Sequence, residues 1–466
     1  MKRIINKSLR TVDPILILPV QSEVSSICFV SHQNLSLSSP EHNRSKNHSF
    51  CQCKGENYND DNSSLDDEGD GDEIELRSSK IRIDRTDPKS SRILQCRLLS
   101  DRFLASCHSN GEALIWNLKN QKQVACISPP RGKNVGLCIR RTDDPSQIML
   151  QTRDSKGLVS IHSIERCGTL GEDCDIGTSS TLTKVRTSRQ FETYSKTFCR
   201  AAPCHGNRHL IALPDIDHSS VTVVDTRSDS NVAKYHIGNH GMVTSLALSV
   251  TSHSTGNSTG RPILACGMES GTTHFFDVMH GPMKSSRQSS LSIGKDPVLT
   301  LDFTPSYTAT YSDSSVPAQR RPDALLVAAG MAGDAQDVSE LSKDEAGRAV
   351  LFKTTYCGED ANKRSWNFKQ RARLSTCRVD HESYCGKPGI AVCCFRPKDG
   401  RFLAIGGWDK RIRLFERSSG NMVALLKGNA RSVADLDWAP DSITSGLLAS
   451  AHKGEKSITL WQCFPK

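Results

Sequence analysis

Apolar residues in this chain come in short bursts separated by polar turns, and no long stripe of helical period is present. The pattern is plainest over residues 389–466. It runs Ala391-Val-Cys-Cys-Phe395, Phe402-Leu-Ala-Ile-Gly-Gly-Trp-Asp409, Arg411-Ile-Arg-Leu-Phe415 and Asn421-Met-Val-Ala-Leu-Leu426. A second pass gives Val433-Ala-Asp-Leu-Asp-Trp438, Leu447-Leu-Ala-Ser-Ala451 and Ser457-Ile-Thr-Leu-Trp461. Both passes follow one scheme: strand, turn, strand, tight polar turn, strand ending on an aromatic. Short β-branched and aromatic runs bounded by Gly, Asn, Asp and Ser predict strands of roughly four to seven residues.

Recurrence at a period of ~40–45 residues with four strands per unit is the pattern of WD-repeat β-propeller blades. The fold class predicted is therefore all-β, a WD-repeat propeller over residues 14–466. Upstream, a first blade takes a strand at 24–30 and, after a polar insertion at 31–91, strands at 102–107, 113–116 and 123–126. Further blades fit 135–168, 195–238, 242–280 and 296–375, which with the two above makes seven; six or eight stay open. The last blade shows three strands before residue 466, and a lone strand at 14–20 has no blade of its own. That strand is expected to supply the missing fourth and remove an open sheet edge. The longest loops then join first to second strands, which leaves the opposite face clear for docking.

Composition adds size and charge. The chain has 466 residues, 36% hydrophobic content and a net charge of +9. No apolar run approaches the ~20 residues of a membrane helix, and the stretch from Ile15 to Leu18, closed by Pro19, is too short for a signal peptide. The eighteen cysteines are scattered, several of them mid-strand (Cys107, Cys126, Cys266, Cys394). A soluble intracellular protein with reduced thiols is expected. Residues 31–91 are poor in large apolar side chains and are expected to be disordered. Asp60 to Glu75 holds nine acids and no base, so taking its −9 from +9 leaves the rest at +18.

No catalytic constellation emerges, and no cofactor or metal is expected. Cys51 with Cys53, and Cys393 with Cys394, lack partners at zinc-ligand spacing. The acidic run from Asp66 to Asp72 fails as a calcium loop because Arg77 stands where the closing Glu belongs. Lys363, Arg364, Lys369, Arg371, Arg373 and Arg378 surround Trp366, and a solvated loop or edge strand accounts for them. Asp409 sits in the turn between second and third strands, where it should bond to neighbouring backbone and side chains. Trp116, Phe415 and Trp461 end third strands and should lie between blades. Trp408 and its neighbour Arg411 are the candidate partner-binding residues, since Trp and Arg are the commonest interface anchors.

The run Gly406-Gly-Trp-Asp-Lys-Arg-Ile-Arg-Leu-Phe415, through Asn421–Leu426 to the ending Ser457-Ile-Thr-Leu-Trp-Gln-Cys-Phe-Pro465, resembles the ASTRA-associated protein 1 family of WD-repeat proteins. Its animal members are called guanine nucleotide-binding protein β-subunit-like protein 1. The likeness is strong over 389–466 and thins upstream. Pro19-Val-Gln21 stands where relatives carry Arg-Gly-His, and the long acidic insertion is also a departure. The resemblance implies a non-catalytic subunit of the ASTRA complex, linked to chromatin remodelling and to the cochaperone assemblies that mature phosphatidylinositol-3-kinase-related kinases. It implies protein partners and a nuclear and cytoplasmic location. The alternative is a nucleic-acid- or histone-binding propeller, motivated by the basic body, with the steep salt dependence such binding brings.

Overall fold

The computed structural model describes residues 10–12, 16–17, 93–98, 103–109, 111–118, 122–127, 137–141, 147–152, 157–166, 183–195, 197–228, 230–251, 261–278, 288–304, 326–331, 348–357, 365–375, 389–397, 399–427, 431–440, 446–455 and 457–463. Every regular element among them is a β-strand. Strands β1 (Arg10–Val12) and β2 (Leu16–Ile17) come first. From Ile93 onward the strands form antiparallel groups in which each pairs with the next in sequence. Group I holds β3 (Ile93–Leu98), β4 (Phe103–His108), β5 (Ala113–Asn117) and β6 (Lys122–Ile127). Group II holds β7 (Leu137–Arg141), β8 (Gln147–Thr152), β9 (Leu158–Arg166) and β10 (Thr183–Glu192). Group III holds β11 (Ala202–His205), β12 (Leu210–Pro214), β13 (Ser220–Asp225) and β14 (Ser230–His236). Group IV holds β15 (Val243–Thr251), β16 (Arg261–Met268), β17 (Thr272–Asp277) and β18 (Gln288–Ser292). Group V holds β19 (Val298–Phe303), β20 (Leu326–Met331), β21 (Arg348–Cys357) and β22 (Ser365–Ser375). Group VI holds β23 (Ile390–Phe395), β24 (Phe402–Gly407), β25 (Ile412–Glu416) and β26 (Met422–Leu426). Group VII holds β27 (Val433–Trp438), β28 (Leu447–His452) and β29 (Ile458–Gln462).

The first two strands dock on the last two groups. β2 lies antiparallel to β29, with Leu16 opposite Leu460 and Ile17 opposite Thr459. β1 adds to the outer edge of β26 in parallel, from Arg10 opposite Ala424 to Val12 opposite Leu426. First strands lie side by side between groups. β11 pairs in parallel with β15, and β19 packs on β15, β23 on β19, β27 on β23, and β3 on β27.

Burial follows strand rank. Second and third strands are sandwiched between neighbouring groups and are apolar on both faces: β12 and β24 are buried at every residue. Three first strands, β19, β23 and β27, share one pattern of alternating buried and half-buried positions. Five first strands also carry a bulge after their opening residue, at Ile93, Val243, Val298, Ile390 and Val433. A bulge adds one residue and sharpens the local twist, and its recurrence at one place marks a repeated unit.

Some sequence expectations fall elsewhere. Among the described residues, group I opens on β3 at Ile93. The predicted strand at 24–30 and the insertion both lie outside the described residues. Group III opens at β11, past the expected start of its span at residue 195. Strands β10 and β18 replace what reads as loop, because outer strands need only one apolar face. The basic run 365–375 is the edge strand β22.

Candidate docking face

Strands alternate direction within a group, so the turn between second and third strands lies at the same end as the lead-in to the first. Trp408 shows this contact directly: its amide donates to Gly389 O at 2.9 Å, just before β23. The Trp408 ring lies over that glycine. A Cβ at Gly389 would sit 2.6 Å from Trp408 Cε3, so only glycine admits the ring there. Trp408 is half-buried, as is Arg411. Asp409 takes both guanidinium nitrogens of Arg413, at 3.1 and 2.6 Å, and accepts the Arg411 amide at 3.3 Å. Arg413 was not singled out in the sequence, although alternation along β25 puts it on the side of Arg411. Lys410 completes the turn with φ of 67°, a left-handed conformation uncommon outside glycine.

Trp116 packs among residues of groups I and VII, and Trp461 among residues of groups VI and VII. Phe415 lies between groups V and VI. Both tryptophans end in a polar relay that sequence reading missed. Trp116 Nε1 donates to Ser106 Oγ at 2.8 Å, and Ser106 Oγ lies 2.8 Å from His108 Nε2. Trp461 Nε1 donates to Ser450 Oγ at 2.9 Å, and Ser450 Oγ lies 3.0 Å from His452 Nε2. The available signal was Ser-x-His closing a second strand, followed by a Trp in the third. Burying an indole N–H is costly unless it is hydrogen-bonded, which is what the serine supplies.

Among the described residues, three large apolar side chains are exposed at the turn end: Phe198 at 78%, Ile216 at 62% and Tyr194 at 43%. Phe198 and Tyr194 stand on the lead-in to β11, and Ile216 on the turn between β12 and β13. No local pattern marks them, because an apolar residue in a loop reads the same whether it packs or protrudes. Of the basic cluster, Trp366, Lys369, Arg371 and Arg373 lie on β22, while Lys363, Arg364 and Arg378 are outside the described residues, as are Cys51 and Cys53. Cys393 is buried and Cys394 half-buried, alternating along β23.

Two buried histidines set an acid limit. Burial holds His162, beside Ser160, down to about 4. Burial, then the charge of His240 packed 4.6 Å away, holds His274 down to about 4 as well. Between about 4 and 6.5 the unfolded chain therefore binds protons that the folded one does not. Their neutral burial costs nothing above 6.5, and stability falls as pH drops toward 4. The expected slope is at most about 1.4 kcal/mol per pH unit for each histidine. Melting temperatures at steps from pH 7 to 4.5 should decline, and His162→Gln should flatten the decline.

No family model matches the chain. The mouse protein named guanine nucleotide-binding protein subunit beta-like protein 1 is 24% identical over 368 residues, which covers 78% of this chain and 88% of that one. This likeness supports a WD-repeat assignment. The crystal structure of Raptor from Chaetomium thermophilum superimposes with a TM-score of 0.50 at 14% identity, over 81% of this chain and 29% of that one. The chain thus spans under a third of Raptor, and the likeness is one of fold.

Proposed function

We propose that the chain is a non-catalytic scaffold: a seven-bladed WD-repeat propeller, sealed by β2 on β29, that docks protein partners on its turn end. The seven groups, the pairing of β2 and the mouse relative support the architecture. The docking role rests on one observation, the exposure of Phe198, Ile216 and Tyr194 at a single end. Trp408 and Arg411 extend that surface on group VI. Aromatic anchors ringed by polar groups are how such surfaces hold partners. The finer reading is a subunit of an ASTRA-like or kinase-maturation cochaperone assembly, in nucleus and cytoplasm. It rests on the C-terminal motif and on the name of the mouse relative.

The test is affinity purification with Phe198→Ala and Trp408→Ala proteins of unchanged melting temperature. Removing an interface anchor costs about 2 kcal/mol or more, so recovery of co-purifying chains should fall by about tenfold or more. Equal recovery from both variants and the wild type overturns the docking face. Recovery of nucleic acid that collapses steeply with salt selects the alternative.

A further inference from the structure

The lead-in that carries Tyr194 and Phe198 is built as a rigid strip. Thr193, Ser195, Cys199 and Ala201 point inward, and Tyr194 and Phe198 point out. Thr193 Oγ1 donates to Gly157 O at 2.8 Å and accepts the Ser195 amide at 3.3 Å. Thr197 Oγ1 accepts the Cys199 amide at 3.3 Å. The buried Gln151 side chain clamps the far end, donating to Cys199 O at 3.2 Å and accepting the Ala201 amide at 2.7 Å. These contacts tie the strip to group II. A further contact runs elsewhere: Arg200 Nη1 reaches Asp435 Oδ1 at 3.1 Å. Asp435 is on β27 in group VII, which is not a neighbour of group III, and its side chain is fully buried.

Asp435 already has a task. Its Oδ2 accepts the Cys96 amide at 3.2 Å, bonding group VII to group I. The corresponding residue of β19 is Thr300, two places after the same bulge. Its hydroxyl accepts the Cys393 amide at 3.2 Å, bonding group V to group VI. One acceptor oxygen is thus enough for the bond between groups, and a buried carboxylate carries a desolvation cost that a hydroxyl does not. The second oxygen of Asp435 is accounted for by Arg200.

We propose that the Arg200–Asp435 pair is a tether that presets the Tyr194–Phe198 strip. Its purpose, though not its geometry, rests on the docking reading above. Arg200 is a positioning residue: it holds the anchors ready and so lowers the ordering cost of binding. The contrary view is that the pair only strengthens the bond between groups VII and I.

Asp435→Thr separates the two, because it keeps an acceptor for the Cys96 amide and removes the partner of Arg200. Arg200→Met removes the tether from its half-exposed side and stands in if Asp435→Thr does not fold. Hydrogen exchange of the strip amides, residues 197–202, should speed up by about tenfold or more in either variant, the scale of a lost charged hydrogen bond. The Cys96 amide should keep its protection. Strip exchange equal to wild type in both variants overturns the tether. Faster strip exchange with partner recovery unchanged supports the tether and removes the docking reading instead.

Discussion

Trp461→Ala is expected to destabilise the protein by about 3–5 kcal/mol, the scale of emptying a tryptophan site in a core. The side chain is fully buried in the cluster shared by groups VI and VII, beside Ala404, Leu414, Leu436 and Leu448. Truncation opens a cavity there and strips Ser450 of its indole donor. The serine keeps other partners, since its hydroxyl lies 3.0 Å from His452 Nε2 and 3.5 Å from Thr459 O. Most of the loss is therefore packing. Trp461→Phe, which keeps much of the volume and loses the donor, should cost only about 1–3 kcal/mol. Urea unfolding of the three proteins measures both. An equal loss for Phe and Ala would mean that the hydrogen bond dominates, contrary to this account. β2 lies on β29 one residue from this site, so the Ala variant should also loosen the pairing of Leu16 and Ile17.

How much of this was legible in the sequence depends on strand rank. Second and third strands announce themselves because both faces are buried: Phe402–Gly407 and Leu447–His452 are nearly unbroken apolar runs. Outer strands hide. β10 reads Thr-Lys-Val-Arg-Thr-Ser-Arg-Gln-Phe-Glu, with only two apolar residues, and β18 is mostly serine. Their strand conformation comes from pairing with a neighbour, which no local pattern records. β3 was missed because Gln95 and Arg97 break its apolar run. Within the candidate site, the Asp409 turn was readable because turn chemistry is local. The Arg200–Asp435 contact joins residues 235 apart and could not be read from one chain.

Asp409→Ala is expected to cost about 3–5 kcal/mol, the scale of leaving one member of a buried ion pair alone. Arg413 is 5% exposed and cannot swing to water without unpacking β25. Both its bonded nitrogens look to one carboxylate, at 3.1 and 2.6 Å. The same carboxylate accepts the Arg411 amide and so holds the left-handed Lys410 in place. Asp409→Asn keeps one acceptor without the charge and should cost about half as much, near the ~1.5–3 kcal/mol of a hydrogen bond to a charged group. A double-mutant cycle isolates the pair. In an Arg413→Met background no cation is left stranded, so Asp409→Ala should then cost under about 1 kcal/mol, giving a coupling of at least about 2 kcal/mol. The loss should also persist at high salt, because a buried pair is poorly screened. An uncoupled cycle would assign the turn to its backbone alone. If the coupling is found, the pair also fixes where Trp408 stands, since that residue precedes Asp409 and its ring lies over Gly389. Asp409→Ala should then weaken partner recovery at permissive temperature by displacing Trp408. Gly389→Ala, which leaves the ion pair intact and displaces the ring, should do the same.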